Sequence, residues 1–107
     1  MSIIKISELA DAPGEGQGRK IHFEHPFTYY RYDIALFKAG DKYYAITDAC
    51  KHCGGSLGRG RLEGLLAYCS AEDHPWNIKT GVYKFDRTRV LPTYNVSAEP
   101  DGLYINI

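Results

Sequence analysis

Almost no stretch of this chain repeats apolar residues at helical spacing over three turns, and short alternating runs take their place. A period of two marks half-buried strands. Residues 28–38 put Tyr30, Tyr32, Ile34 and Leu36 on one face. Ala39-Gly40-Asp41 then reads as a hairpin loop, with residues 42–47 as the return strand closing on Ile46. Residues 19–24 set Ile21 and Phe23 on one side, and Ile4 and Ile6 open the chain. Near the other end Tyr94 and Val96 alternate, and Pro100-Asp101-Gly102 supplies a turn before Leu103, Ile105 and Ile107. Residues 7–12 predict one helical turn before Pro13. Nine tyrosines suit half-buried strand faces. At 107 residues the expectation is a single all-β domain.

One segment breaks this pattern. Residues 48–64 hold five glycines, at 54, 55, 58, 60 and 64, and Gly81 answers later. Glycine admits backbone shapes closed to other residues and lets a ligand approach closely. Cys50, Cys53 and Cys69 fall within 20 residues, beside two of the four histidines. The loops therefore carry the function and the strands hold them. Lys plus Arg equal Asp plus Glu at 13 each, which argues against a nucleic-acid binder. No apolar run approaches 18 residues and no basic-then-apolar leader opens the chain, so the expectation is a soluble, cytoplasmic protein. In that reducing setting an odd set of clustered thiols points to metal before disulfide.

Two parsings of the thiols compete. Taking every cysteine gives C-x2-C-x15-C-x4-H, ending at His74, the pattern of a structural Cys3His zinc site. Taking His52 and leaving Cys53 aside gives C-x-H-x16-C-x4-H, two Cys/His hooks on two loops, the ligand set of a mixed His/Cys two-iron cluster. Spacing alone slightly favours zinc.

The surroundings favour iron. Residues 9–16, Tyr44-Ala45-Ile46-Thr47-Asp48-Ala49-Cys50 with His52, residues 54–57, Gly60-x-Leu62-x-Gly64, Thr80-Gly81 and Leu91-Pro92-Thr93-Tyr94-x-Val96 resemble, in order, the Rieske ferredoxin family along nearly the whole chain. The resemblance implies a Rieske-type antiparallel β-sandwich or barrel spanning 1–107, with a loop-built cluster-binding subdomain at about 48–84. It implies a [2Fe-2S] cluster held by Cys50 and Cys69 on the inner iron and by His52 and one second-loop histidine on the outer. Two thiolates offset the +2 of two ferric ions and two sulfides, so the oxidised cluster is neutral and easier to reduce than an all-thiolate dianion.

The family's second hook is Cys-x2-His, whereas here Glu72 stands at that position and His74 two residues beyond it. His74 is the expected fourth ligand and Glu72 the alternative, because imidazole suits this iron better than a carboxylate. The second loop offers no cysteine besides Cys69, so Cys53 reads as a free thiol, or as a substitute ligand. With no loop disulfide and no hydroxyl donor after His74, the expected potential lies low in the Rieske range, near about −150 mV.

His22 and His25 read as surface or strand-end residues, Trp76 as loop packing, and Tyr29, Tyr30 and Tyr32 as sheet packing. Asp86, Arg87, Thr88 and Arg89 read as a polar turn. Lys51, Arg59 and Arg61 read either as solvated loop charge or as a positive field at the cluster tip. No Ser/His/Asp set, phosphate loop or paired catalytic carboxylates stand out, so no catalytic residue is expected. The resemblance implies a one-electron carrier passing electrons from an NAD(P)H-dependent flavoprotein reductase to a terminal oxygenase, without turnover of its own. The competing expectations are a cluster-free interaction subunit, as in the small subunit of nitrite reductase, and the zinc module.

Overall fold

The computed structural model describes residues 3–107, which form twelve strands and no α-helix among the described residues. The strands are β1 (Ile3–Ser7), β2 (Gly18–Glu24), β3 (Arg31–Ala39), β4 (Lys42–Thr47), β5 (Arg61–Glu63), β6 (Leu66–Tyr68), β7 (Pro75–Asn77), β8 (Val82–Tyr83), β9 (Asp86–Val90), β10 (Thr93–Tyr94), β11 (Val96–Glu99) and β12 (Gly102–Asn106). The one helical turn, Leu9–Asp11, is of the tighter 3-10 kind. Three antiparallel sheets result, ordered β1-β12-β11, β10-β4-β3-β2 and β5-β6-β7-β8-β9.

β3 and β4 meet through Gly40 and Asp41, both with φ near +60°. That two-residue turn twists the way the flanking strands do. β10 pairs with β4, so everything between Thr47 and Thr93 leaves the second sheet and returns to it. The third sheet lies inside this excursion, and its last strand ends at Val90. Residues 86–90 are thus strand rather than a polar turn, and the turn falls on Lys84 and Phe85, between Tyr83 and its partner Asp86.

β3 departs from simple alternation. Ile34 and Leu36 pack with Ile21, Ala45, Leu103 and Ile105 in one core. Ala35 and Phe37, pointing the other way, join a second core with Leu57, Ala67, Trp76, Ile78 and Leu91. All four β3 residues are fully buried, as a strand covered on both faces must be. The expected tyrosine face needs correction at one end. Tyr29 and Tyr30 precede the strand and are exposed, although the Tyr30 ring lies 4.9 Å from that of Tyr32, which stacks on Phe23 at 5.2 Å. His25, expected at the surface or a strand end, directly follows β2 and is buried, where it organises that loop: its Nδ1 accepts from the amides of Phe27 (3.1 Å) and Thr28 (3.2 Å).

Candidate metal centre

The centre is built from two loops of one design. In the first, the amide of Cys50 donates to the carbonyl of Gly55 (2.9 Å) and the amide of Gly54 donates back to Cys50 (2.8 Å). In the second, the amide of Cys69 donates to His74 (3.1 Å) and that of Asp73 to Cys69 (3.1 Å). Each loop thus spans six residues, opens on a cysteine and turns through a left-handed residue in fifth place, Gly54 (φ 73°) or Asp73 (φ 57°). Superposing the two patterns sets Ala71 where His52 stands and Glu72 where Cys53 stands. The histidine of the second loop has moved to the closing position, and this accounts for the C-x4-H spacing.

The loops are tied together at Ser56 and Ser70. The Ser70 amide donates to the Ser56 carbonyl (3.0 Å), and the Ser56 amide to the Ser70 hydroxyl (3.2 Å). Gly60 permits the approach behind them, since a Cβ there would fall 1.7 Å from the carbonyl oxygen of Tyr68. The first loop is anchored by Asp48, a buried carboxylate that sequence reading passed over. Its Oδ1 accepts from the Ser56 hydroxyl and the Gly58 amide, both at 2.8 Å.

This framework brings Cys50, Cys53, Cys69 and His74 together, with one ligand atom of each within 4.8 Å of all the others. His74 Nδ1 lies 3.5 Å from Cys50 Sγ and 3.8 Å from Cys69 Sγ, and Cys53 Sγ lies 3.4 Å from Cys69 Sγ. Cys50 and Cys69 are buried. His52 is exposed and outside that group, with its ring 4.7 Å from that of His74 and 4.5 Å from that of Tyr83. Glu72 contributes its backbone only: its amide and that of His74 each donate to Cys69 Sγ at 3.3 Å.

These contacts set the thiols apart. Burial alone would push the Cys69 thiol up, but the amides of Glu72 and His74, with the Cys53 thiol, pull it down to about 7. Burial and the neighbouring cysteine sulfurs push Cys53 up to about 11. One sulfur is thereby prepared as a thiolate and the other kept as a thiol. Desolvation first, then Arg89 and His74, hold the His52 imidazole below its ordinary value. Trp76 does more than pack: fully buried, it donates its indole N–H to Cys50 Sγ at 3.3 Å. Two buried sulfurs supplied with N–H donors, and two imidazoles on their outer side, fit a cluster of mixed Cys/His ligation.

Fold and donor set together define a small β protein built to hold a metal centre between two loops. The Rieske [2Fe-2S] domain family matches residues 3–95, and the chain belongs to it. It is 34% identical over 109 residues to the 3-phenylpropionate/cinnamic acid dioxygenase ferredoxin subunit of Escherichia coli K12, covering 100% of this chain and 95% of that one. In fold it resembles the Sphingomonas yanoikuyae B1 ferredoxin, with a TM-score of 0.80 at 17% identity over 99% of both chains. A structure of carbazole 1,9a-dioxygenase, in which reduced oxygenase is complexed with oxidised ferredoxin, matches at a TM-score of 0.75 and 24% identity, covering 96% of this chain and 91% of that one.

Proposed function

We propose that this chain is a one-electron carrier, a Rieske ferredoxin that takes electrons from an NAD(P)H-dependent flavoprotein reductase and delivers them to a terminal oxygenase. The observation that carries this is the pair of matched loops, each presenting one buried cysteine, with the imidazoles of His52 and His74 on the outer side. Cys50, Cys69, His52 and His74 would hold the cluster, the thiols from the buried side and the imidazoles from the other. When bound, the [2Fe-2S] cluster supplies a reversible one-electron change at a potential raised by imidazole ligation. The chain's own part would be to offer two buried sulfurs and two imidazoles as ligands and leave the His52 edge open to a partner. In this reading turnover belongs to the oxygenase. The balanced charge speaks for protein partners over nucleic acid. No helix among the described residues is long and apolar enough to cross a membrane, in keeping with a cytoplasmic carrier.

A second reading, a Cys3His zinc module, rests on the sulfur and nitrogen spacings of 3.4–3.8 Å, which suit four ligands around a single tetrahedral ion. EPR of the dithionite-reduced protein, with iron, sulfide and zinc assayed on the same sample, separates the two. A rhombic signal of low average g with iron and sulfide in equal amounts is expected. Zinc without iron overturns the carrier reading. In the variants, His52→Ala is expected to abolish the cluster and Cys53→Ala to retain it, and the converse pattern assigns the centre to zinc.

A further inference from the structure

Phe85 is 72% exposed at a tight turn, on a chain whose other large aromatics near the metal centre are buried or half-buried. The turn that carries it is well fixed. The amide of Lys84 donates to the carbonyl of Pro75 (3.0 Å), and Asp86 Oδ1 accepts both the amide (3.0 Å) and the hydroxyl (2.6 Å) of Thr88. The Phe85 ring stands edge-on to Tyr83 at 5.7 Å, and Tyr83 lies 4.5 Å from the His52 ring. A partner atom resting on Phe85 is therefore two ring contacts from the exposed histidine of the centre.

The charge around this turn is one-sided. Lys51, Lys84 and Arg87 form no ion pair among the described residues, while Arg89 is offset by Asp86 at 3.5 Å. Lys51 donates to the carbonyl of Val90, which brings its ammonium to the end of β9. Lys84 leans over the Phe85 ring at 5.5 Å, and Lys84 and Arg87 line one depression with Tyr83. On the other loop, Asp73 is taken by Arg61 at 2.6 Å, which also holds Glu63, leaving Glu72 as the unpaired acid. Three cations outside any ion pair among the described residues, Lys51, Lys84 and Arg87, thus sit on or against the β8–β9 hairpin. Of the three residues weighed for a positive field at the cluster tip, Lys51 lies against the end of β9. Arg61 is neutralised, and Arg59 lines a separate depression with Gly18, Arg19 and Lys20.

We propose that the β8–β9 turn is the docking surface for an acidic electron-transfer protein, with Phe85 as its apolar anchor and Lys51, Lys84 and Arg87 as its rim. Transient electron-transfer interfaces are small, so one exposed aromatic supplies a large share of the desolvated area while the rim sets the rate of encounter. The inference rests on the carrier reading.

The test uses the holoprotein, reduced with dithionite and freed of excess reductant, in stopped flow against two cobalt(III) complexes of opposite charge. Each cobalt(III) takes one electron from the protein and leaves as cobalt(II). Oxidation by tris(oxalato)cobaltate(III) is expected to slow about threefold or more as ionic strength rises from about 10 to 200 mM, as screening weakens attraction, and oxidation by hexaamminecobalt(III) to quicken. The Lys84→Glu/Arg87→Glu double variant is expected to invert both trends. With cytochrome b5 as an acidic protein acceptor, Phe85→Ala is expected to raise the half-saturating concentration about fivefold, and Phe85→Leu to restore most of it, the cluster's midpoint potential being unchanged in both. Trends that are flat, or unaltered by the double variant, overturn the charged surface. An unchanged half-saturation in Phe85→Ala overturns the anchor. Absence of iron, sulfide and an EPR signal overturns the carrier reading itself, a result distinct from a cluster that reacts without regard to charge.

Discussion

Cys50 and Cys69 are both buried thiols in matched loops, yet their sulfurs are served by different donors. The Cys69 donors are backbone amides locked in by the loop. The Cys50 donor is the indole of Trp76, which a substitution can remove. A hydrogen bond to a ligand sulfur favours the reduced state, where more negative charge rests on that sulfur. Trp76→Phe keeps the buried ring and is expected to lower the midpoint potential by some tens of millivolts, a tenfold change in a one-electron equilibrium being about 59 mV. Potentiometric titration followed by EPR reads this directly, and an unchanged potential would show that the bond carries no weight. The low potential expected from sequence assumed no side-chain donor; the indole was invisible there because nothing in the chain order aims it at Cys50.

Among the elements, the hairpins were the most legible, because Gly40-Asp41 and Pro100-Asp101 punctuate alternating runs. The other links are polar and long-range, and periodicity carries no trace of them. Glu15 reaches across to the β3–β4 turn, accepting from the amides of Gly40 (2.9 Å) and Asp41 (3.2 Å). Those two bonds, in that order, hold its carboxyl below the usual range. A depressed carboxyl contributes stability above its unfolded value of about 4.5 that is lost as pH falls through the folded value. Glu15→Gln is therefore expected to flatten the acid limb of a Tm-against-pH curve below about pH 4.5 while leaving the neutral limb parallel to the parent's. Asp48 does similar work deeper in. Asp48→Ala strands the buried amide of Gly58 and is expected to cost about 1–3 kcal/mol in urea unfolding, with weaker cluster retention. The same limits explain the tyrosines. Tyr30 fits the alternation of the following strand, but the tight loop organised by His25 ends before the strand begins.

At the scale of the molecule, β3 is one wall shared by two interiors. Leu36 faces the base, and Phe37, its neighbour, faces the centre. Truncating either should destabilise the fold, by about 2–5 kcal/mol for Leu36→Ala and about 3–5 kcal/mol for Phe37→Ala. Only Phe37→Ala is expected to shorten the lifetime of the visible chromophore at temperatures below global unfolding. Equal loss in both variants would mean that the two interiors yield together. Cluster-site chemistry could be read from sequence because the ligand types are few and their spacing local. The sharing of β3 was written in the unbroken apolar run Ile34-Ala35-Leu36-Phe37, but reading the strand as a simple alternation took in only its Ile34 and Leu36 side.

The two loops meet at their serines and again where the three cysteine sulfurs and His74 gather. Joining Cys50 to Cys69 through a common centre closes the intervening chain into a ring of about twenty residues, the topology of a disulfide made from inorganic material. By the same loop-closure entropy, such a staple is worth about 3 kcal/mol, before any bond energy is counted. A protein of this size would then owe part of its folded lifetime to its cargo, and stripping the iron would mark the emptied chain for proteolysis within residues 51–68.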